Sequence, residues 1–80
     1  MKLPRDLAGR ELVTRLQRFG YRRLHQEGSH VIVETDSPRR HRIAVPDHAA
    51  IRPGTLNAIL RAVAAVQGIP KEMVLRQLIR

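Results

Sequence analysis

The amino-acid sequence predicts an α+β fold in the order α-β-β-β-α, followed by an additional C-terminal helix. Between residues 21 and 45, three short strand-like runs, two of them rich in β-branched residues, are separated by turn-forming residues. Apolar residues at helical spacing precede and follow this stretch. We therefore expect a three-stranded antiparallel sheet covered by helices on one face, and we treat residues 1–80 as a single domain.

The first helix is predicted to begin between residues 7 and 10 and to run to Phe19. Asp6 is suited to cap its N-terminus, and Gly20 can end it in a left-handed turn. The spacings of four and three that define its apolar stripe come from Leu12, Leu16 and Phe19.

Three strands are predicted next, at Tyr21–Gln26, Ser29–Thr35 and His41–Val45. Gly28 lies between the first two, and it can adopt the positive φ of a tight hairpin turn without a Cβ clash. Pro38 lies in the turn before the third strand, because proline cannot donate to a ladder interior. The short connections favour an antiparallel meander.

Two helices complete the predicted order. Pro53 suits the first turn of the second helix, and Gly68 ends that helix. Pro70 opens the last helix. The apolar stripe of the second helix consists of Leu56, Ile59, Leu60, Val63 and Val66, and that of the last helix of Val74, Leu75, Leu78 and Ile79.

The chain is strongly basic, with 15 lysines and arginines against 7 acidic residues and a formal net charge of +8. All but Lys2 and Lys71 of these cations are arginine, whose planar fork suits phosphate groups. A nucleic-acid backbone is therefore the leading partner, and an acidic protein surface is the alternative. Phe19 and Tyr21 are the only Phe, Tyr or Trp rings, so backbone and shape contacts should outweigh base stacking.

The absence of cysteine excludes disulfides and thiolate metal sites. No two histidines have the i, i+4 spacing of a helical metal site, and we expect neither a metal nor a cofactor. No apolar run approaches the roughly 20 residues of a membrane span, and the first residues lack an apolar signal core. We expect a cytoplasmic protein without a membrane partner.

A histidine at the start of the second strand is the main candidate for chemistry. Alternation along a strand places His30 opposite Val31 and Val33, so it should face solvent if the valines are core. The same alternation is expected to put Arg23, His25 and Arg42 on its face.

Five short motifs occur in the order typical of one family: Gly9-Arg10-Glu11-Leu12, Gly20-Tyr21, Gly28-Ser29-His30, Val45-Pro46-Asp47-His48 and Gly54-Thr55-Leu56. On these motifs the chain resembles the HicA family of toxins over about residues 9–60. The resemblance implies a fold like that of double-stranded-RNA-binding domains and a metal-independent mRNA interferase held inactive by a HicB-type antitoxin. It also implies that His30 is catalytic. After Leu60 the second helix is about one turn longer than in shorter members, and the tail is longer too.

Metal-free RNA cleavage needs a base for the 2′-OH, an acid for the leaving 5′-oxygen and cations for the developing negative charge. Histidine can serve as base or acid near neutral pH. We therefore expect His30 to be the base or acid, with His25 as a candidate second proton carrier. Arg23 and Arg42 are the expected phosphate ligands.

The start of the second helix offers a further anion site. Free backbone N–H groups there lie beside the cation of Arg52 and the hydroxyl of Thr55. Ordinary helix capping is the alternative interpretation of the same residues.

Two other functions remain open at this point. A non-catalytic RNA- or DNA-binding module could use the same basic face, and a protein-interaction domain could present its arginines to an acidic partner. Both a homodimer and a toxin–antitoxin hetero-oligomer are compatible with the sequence.

Overall fold

The computed structural model describes residues 3–79 and has the predicted order of elements. A single 3₁₀ turn, Gln17–Phe19, follows the first helix. The α+β fold with a three-stranded antiparallel sheet and an additional C-terminal helix is thereby confirmed. The elements are α1 (Gly9–Leu16), β1 (Arg22–Glu27), β2 (His30–Thr35), β3 (His41–Pro46), α2 (Pro53–Gln67) and α3 (Lys71–Leu78).

The N-terminus of α1 is held by backbone contacts instead of a side-chain cap. Ala8 occupies the N-cap position without a side-chain hydrogen bond, so the prediction that Asp6 caps this helix is wrong. The N–H of Gly9 donates instead to the carbonyl of His48, at 2.9 Å. This tertiary hydrogen bond satisfies a donor that a side-chain cap would otherwise serve. Gly20 ends the segment with φ +84°, as predicted.

The sheet is an antiparallel meander with β2 in the centre. Gly28 and Ser29 form the two-residue turn between β1 and β2. Gly28 has φ +57° while Ser29 keeps a negative φ, which fits the type II′ turn that favours glycine at its first position. In β1, the register with β2 shifts between Arg23 and His25, so Leu24 is the extra residue of a β-bulge.

The core lies between one face of the sheet and the helices. Val31, Val33 and Thr35 of β2 are buried, as are Ile43 and Val45 of β3. Apart from Val66, the buried apolar side chains of the described residues form one contiguous cluster. From the helices and their connections, this cluster includes Leu7, Leu12, Leu16, Phe19, Ile51, Leu56, Ile59, Leu60, Val63, Val74, Leu75 and Leu78.

The two C-terminal helices follow their predicted bounds closely. Gly68 ends α2 with φ +69°, and Pro70 precedes α3. The C-terminal end of α3 is tied to α1, because the Nη1 of Arg15 donates to the carbonyl of Leu78 at 2.7 Å. Ile79, predicted to belong to the apolar face of α3, is instead 49% exposed. Within residues 3–79, no helix has the length and apolar character needed to cross a membrane.

Candidate functional site

The sheet face that points away from the helices carries three rows of side chains, and we call it the open face. Paired residues on neighbouring strands project to the same side of a sheet, so the register defines these rows. The arginine row is Arg22–Glu34–Arg42, the middle row is His25–Ile32–Ala44, and the turn row is Glu27–His30–Pro46.

His30 lies in the turn row and its side chain is exposed on the open face, as predicted. Its Nδ1 lies 3.3 Å from the hydroxyl of Ser29. The N–H of Asp47 donates to the Ser29 carbonyl at 2.7 Å, which ties the end of β3 to the hairpin turn. The imidazole is therefore accessible to solvent while the backbone that carries it is fixed on both sides.

His25 and Glu27 lie beside His30 on the same face. The Nε2 of His25 is 2.9 Å from an oxygen of Glu27, and Glu27 is the register partner of His30. His25 and His30 occupy diagonal positions in adjacent rows, for which Cα atoms are about 7–8 Å apart. The predicted placement of His25 on the face of His30 is confirmed.

Arg23 does not lie on the open face. It pairs with Val33, whose side chain is buried on the helix side, and the β-bulge then reverses the alternation before His25. The prediction that Arg23 shares the face of His30 is therefore wrong. Arg23 instead lines a groove of about 380 Å³ between β1 and α1, together with Arg10, Thr14, Val13, Gln26, Val31 and Asp47.

Arg42 shares the face of His30 but lies at its other end. It pairs with Glu34, which is four residues along β2 from His30. At about 3.3 Å per residue, this separation is roughly 13 Å. The expectation that Arg42 and His30 surround one phosphate is therefore wrong.

Glu34 is the centre of an ion-pair cluster that was not predicted from the sequence. Its side chain is only 5% exposed and pairs with Arg22 at 3.1 Å, Arg40 at 3.1 Å and Arg42 at 2.8 Å. Hydrogen bonds from Arg42 and Arg40 lower the pKa of Glu34 below its ordinary value of 4.5. Glu34 alternates with His30 and Ile32, so its place on the open face could have been predicted, but its three partners depend on tertiary register.

This cluster predicts a specific acid dependence of stability. Because the pKa of Glu34 is lower in the folded chain, its contribution to stability is complete above pH 4.5 and is lost as pH falls through the folded-state pKa. We expect Glu34→Gln to flatten the fall in unfolding free energy between about pH 6 and pH 3, measured by urea denaturation. Glu11→Gln, which removes an exposed helical pair with Arg15, is the control and should retain the native slope. If Glu34→Gln kept the native dependence of unfolding free energy on pH, Glu34 would not be the source of the acid sensitivity.

His41, which was not a candidate, and the two remaining candidates, Arg52 and Thr55, lie away from the open face. His41 projects toward the core side, and its Nδ1 is 2.9 Å from the hydroxyl of Tyr21. Burial lowers the pKa of His41, with a smaller contribution from Arg39. Arg52 and Thr55 are exposed at the start of α2, which has no side-chain cap, and their role as an anion site stays a prediction.

A metal site is not formed by the side chains that the structure describes. Across residues 3–79, no group of three or more His, Cys, Asp or Glu side chains is arranged to hold a metal ion.

Comparison with known proteins gives one family. The family described as "HicA toxin of bacterial toxin-antitoxin" matches residues 9–64, well over half of the chain. The chain belongs to the HicA toxin family. The match contains His30, its hairpin turn and every residue of the open face. No curated protein and no solved structure is a significant match to the chain.

Membership of the HicA family makes this chain a toxin of a bacterial toxin–antitoxin system. The matched region ends at residue 64, within α2. The last turn of α2 and the whole of α3 therefore lie outside it.

Proposed function

We propose that this HicA toxin is a metal-independent endoribonuclease that cleaves mRNA in the cytoplasm, with His30 as a catalytic residue. The observation that carries the proposal is the position of His30, which is exposed on the open face inside the family-matched region. Exposure leaves the imidazole within reach of a substrate, as proton transfer to or from RNA requires.

The reaction needs two proton transfers, and two histidines are available for them. One imidazole removes the proton of the ribose 2′-OH, and the 2′-oxygen attacks phosphorus. The other protonates the 5′-oxygen as the P–O5′ bond breaks, which leaves a 2′,3′-cyclic phosphate and a 5′-OH. His30 and His25 stand on diagonal positions of the turn and middle rows, so both rings can reach one scissile phosphate on the open face.

Glu27 orients His25 in this scheme. Its carboxylate accepts a hydrogen bond from Nε2 of His25, which fixes the ring and places a negative charge beside it. His25 is then suited to protonate the leaving oxygen, and His30 is suited to act as the base. Both rings are exposed, so substrate reaches them without a conformational change.

We assign RNA binding to four further side chains, of which one lies on the open face and three lie outside it. Arg42 lies on the open face, Arg23 lines the groove beside β1, and Arg52 and Thr55 lie at the start of α2. We propose that all four contact the RNA backbone. The order α-β-β-β-α supports a fold like that of double-stranded-RNA-binding domains, which recognise backbone shape more than sequence.

Cleavage in the presence of a chelator tests this proposal. The purified chain, incubated with a messenger RNA and excess EDTA, is expected to give products that end in a cyclic phosphate, because both proton carriers are side chains. Product ends are read by mass spectrometry. Salt-sensitive binding without any product would refute the nuclease and leave a non-catalytic RNA- or DNA-binding module.

A HicB-type antitoxin is the proposed protein partner. A small antitoxin encoded beside this chain should restore growth when both are expressed, and should co-purify with the toxin. Persistent growth arrest despite stable co-expression of that neighbour would contradict this partner.

A further inference from the structure

Three arginines contact the two carboxylate oxygens of Glu34. Two of them belong to the arginine row, and the third lies in the turn before β3. Arg40 and Arg42 both donate through Nε to Oε1 of Glu34, at 3.1 and 2.8 Å. Arg22 donates through Nη2 to the other oxygen, at 3.1 Å. Because two guanidinium groups share a single acceptor, they are held side by side although their charges repel.

The three arginines differ in how many N–H donors they leave free for a ligand. Arg22 uses its second Nη for Asp36, at 3.0 Å, so both ends of its fork are occupied. Arg40 and Arg42 use only Nε in the described part of the chain, and their side chains are 72% and 55% exposed. Each therefore keeps the N–H donors of its two Nη atoms for an outside ligand.

The charge and shape of this pair fit a phosphate group. Three arginines stand against the carboxylates of Glu34 and Asp36, which leaves a local excess of one positive charge. The free Nη donors of the two guanidinium groups can supply several charge-assisted hydrogen bonds to the oxygens of one phosphate. Glu34 itself is nearly inaccessible beneath the guanidinium groups, so it does not compete at the surface.

We propose that Arg40 and Arg42 form a clamp for an RNA backbone phosphate that is not the phosphate cleaved, and that Glu34 positions this clamp. The inference rests on the proposed nuclease function. The clamp lies on the same face as His30 but roughly 13 Å away along β2, so one RNA strand must extend across the open face to reach both. It therefore sets a minimum substrate length.

Binding of an oligoribonucleotide tests the two arginines. In a His30→Ala background, which prevents cleavage, the Kd of an RNA of about 12 nucleotides is measured at several salt concentrations. We expect Arg40→Gln and Arg42→Gln each to weaken binding about 10-fold and to reduce the salt slope by about 0.7. Arg39→Gln is the matched control, because it removes the same charge one residue away, whereas the described partners of Glu34 are Arg22, Arg40 and Arg42. An equal effect of Arg39→Gln would overturn the clamp, and so would a chain that binds no RNA.

Substitution of Glu34 separates two explanations, because a charge effect and a positioning effect predict opposite changes in RNA affinity. Glu34→Gln makes the face more positive, so charge alone predicts tighter RNA binding. Positioning predicts binding about 3- to 10-fold weaker, because the neutral amide of glutamine offers one uncharged acceptor oxygen in place of the two carboxylate oxygens that hold the three arginines. Asp36→Asn makes the same charge change while leaving Arg40 and Arg42 in place, and it should bind as tightly as the parent chain or more so. Tighter binding by a folded Glu34→Gln variant, checked by circular dichroism, would overturn the positioning role.

Substrate length separates the clamp from the reacting site. Arg42→Gln is expected to lose about 10-fold in kcat/KM on the longer RNA and much less on a dinucleotide, which is too short to reach the clamp from His30. Equal losses on both substrates would place Arg42 at the scissile phosphate and overturn the clamp. If the native chain cleaves neither substrate, the nuclease proposal fails, whereas the binding comparison still decides the clamp.

Discussion

His30→Ala is expected to lower the rate of RNA cleavage by about 10²- to 10⁴-fold, the range for loss of a general acid or base. The unfolding free energy should change by less than about 0.5 kcal/mol, because the ring is exposed and its described side-chain contact is with Ser29. Single-turnover cleavage and urea denaturation measure the two quantities. Growth arrest on induction of the native chain should disappear in the variant.

His48 provides the matched control for this experiment. Its side chain is also exposed, but it follows β3 instead of lying on the open face, and its described contact is through the backbone carbonyl. His48→Ala should therefore retain the native cleavage rate. His25→Ala should lose activity, because it removes the group proposed to protonate the leaving 5′-oxygen. A His30→Ala variant that cleaves RNA at the native rate would exclude His30 from the chemistry.

The elements and the exposure of His30 could be predicted from sequence because they depend on local rules. Gly20 and Gly68 end their helices in left-handed turns, and Pro53 begins α2, each at the expected position. The face of His30 follows from the alternation of a short regular strand whose neighbours Val31 and Val33 are clearly core.

The composition of the site around His30 could not be predicted because it depends on strand pairing. The bulge at Leu24 exchanges Arg23 for Arg22 on the open face, and nothing in the polar sequence of β1 marks that irregularity. Likewise, Glu34 lies four residues along β2 from His30, and Arg42 lies beside Glu34 on β3. The prediction that Arg42 and His30 bind one phosphate was wrong because residues on one face can lie at opposite ends of it.

The close approach of α1 to the end of β3 predicts the largest effect on stability. A Cβ atom on Gly9 would lie 1.9 Å from the carbonyl oxygen of Pro46 and 3.1 Å from the Cα of Asp47. Both are backbone atoms, so no side-chain rotation relieves the clash. We expect Gly9→Ala to cost about 2–4 kcal/mol of unfolding free energy, because overpacking adds to strain on the Gly9–His48 hydrogen bond. Urea denaturation measures this cost.

The same substitution at Gly54 should raise the unfolding free energy instead of lowering it. Gly54 also lies in the first turn of a helix, but beyond its chain neighbours and its own helix backbone no described heavy atom lies within 4 Å of the position that a Cβ would take. Alanine there should gain about 0.5–1 kcal/mol of helix propensity. Equal stabilities of the two variants would show that α1 does not rest on the backbone of β3.

Gly9→Ala should also impair cleavage in molecules that remain folded, because Pro46 is the register partner of His30 and moves with the displaced helix. The cleavage rate per folded molecule, measured well below the unfolding midpoint, separates this effect from lost stability. Gly54→Ala should cleave at the native rate in the same assay, since its Cβ meets open space. Cleavage at the native rate by folded Gly9→Ala would show that the turn row does not depend on the contact between α1 and β3.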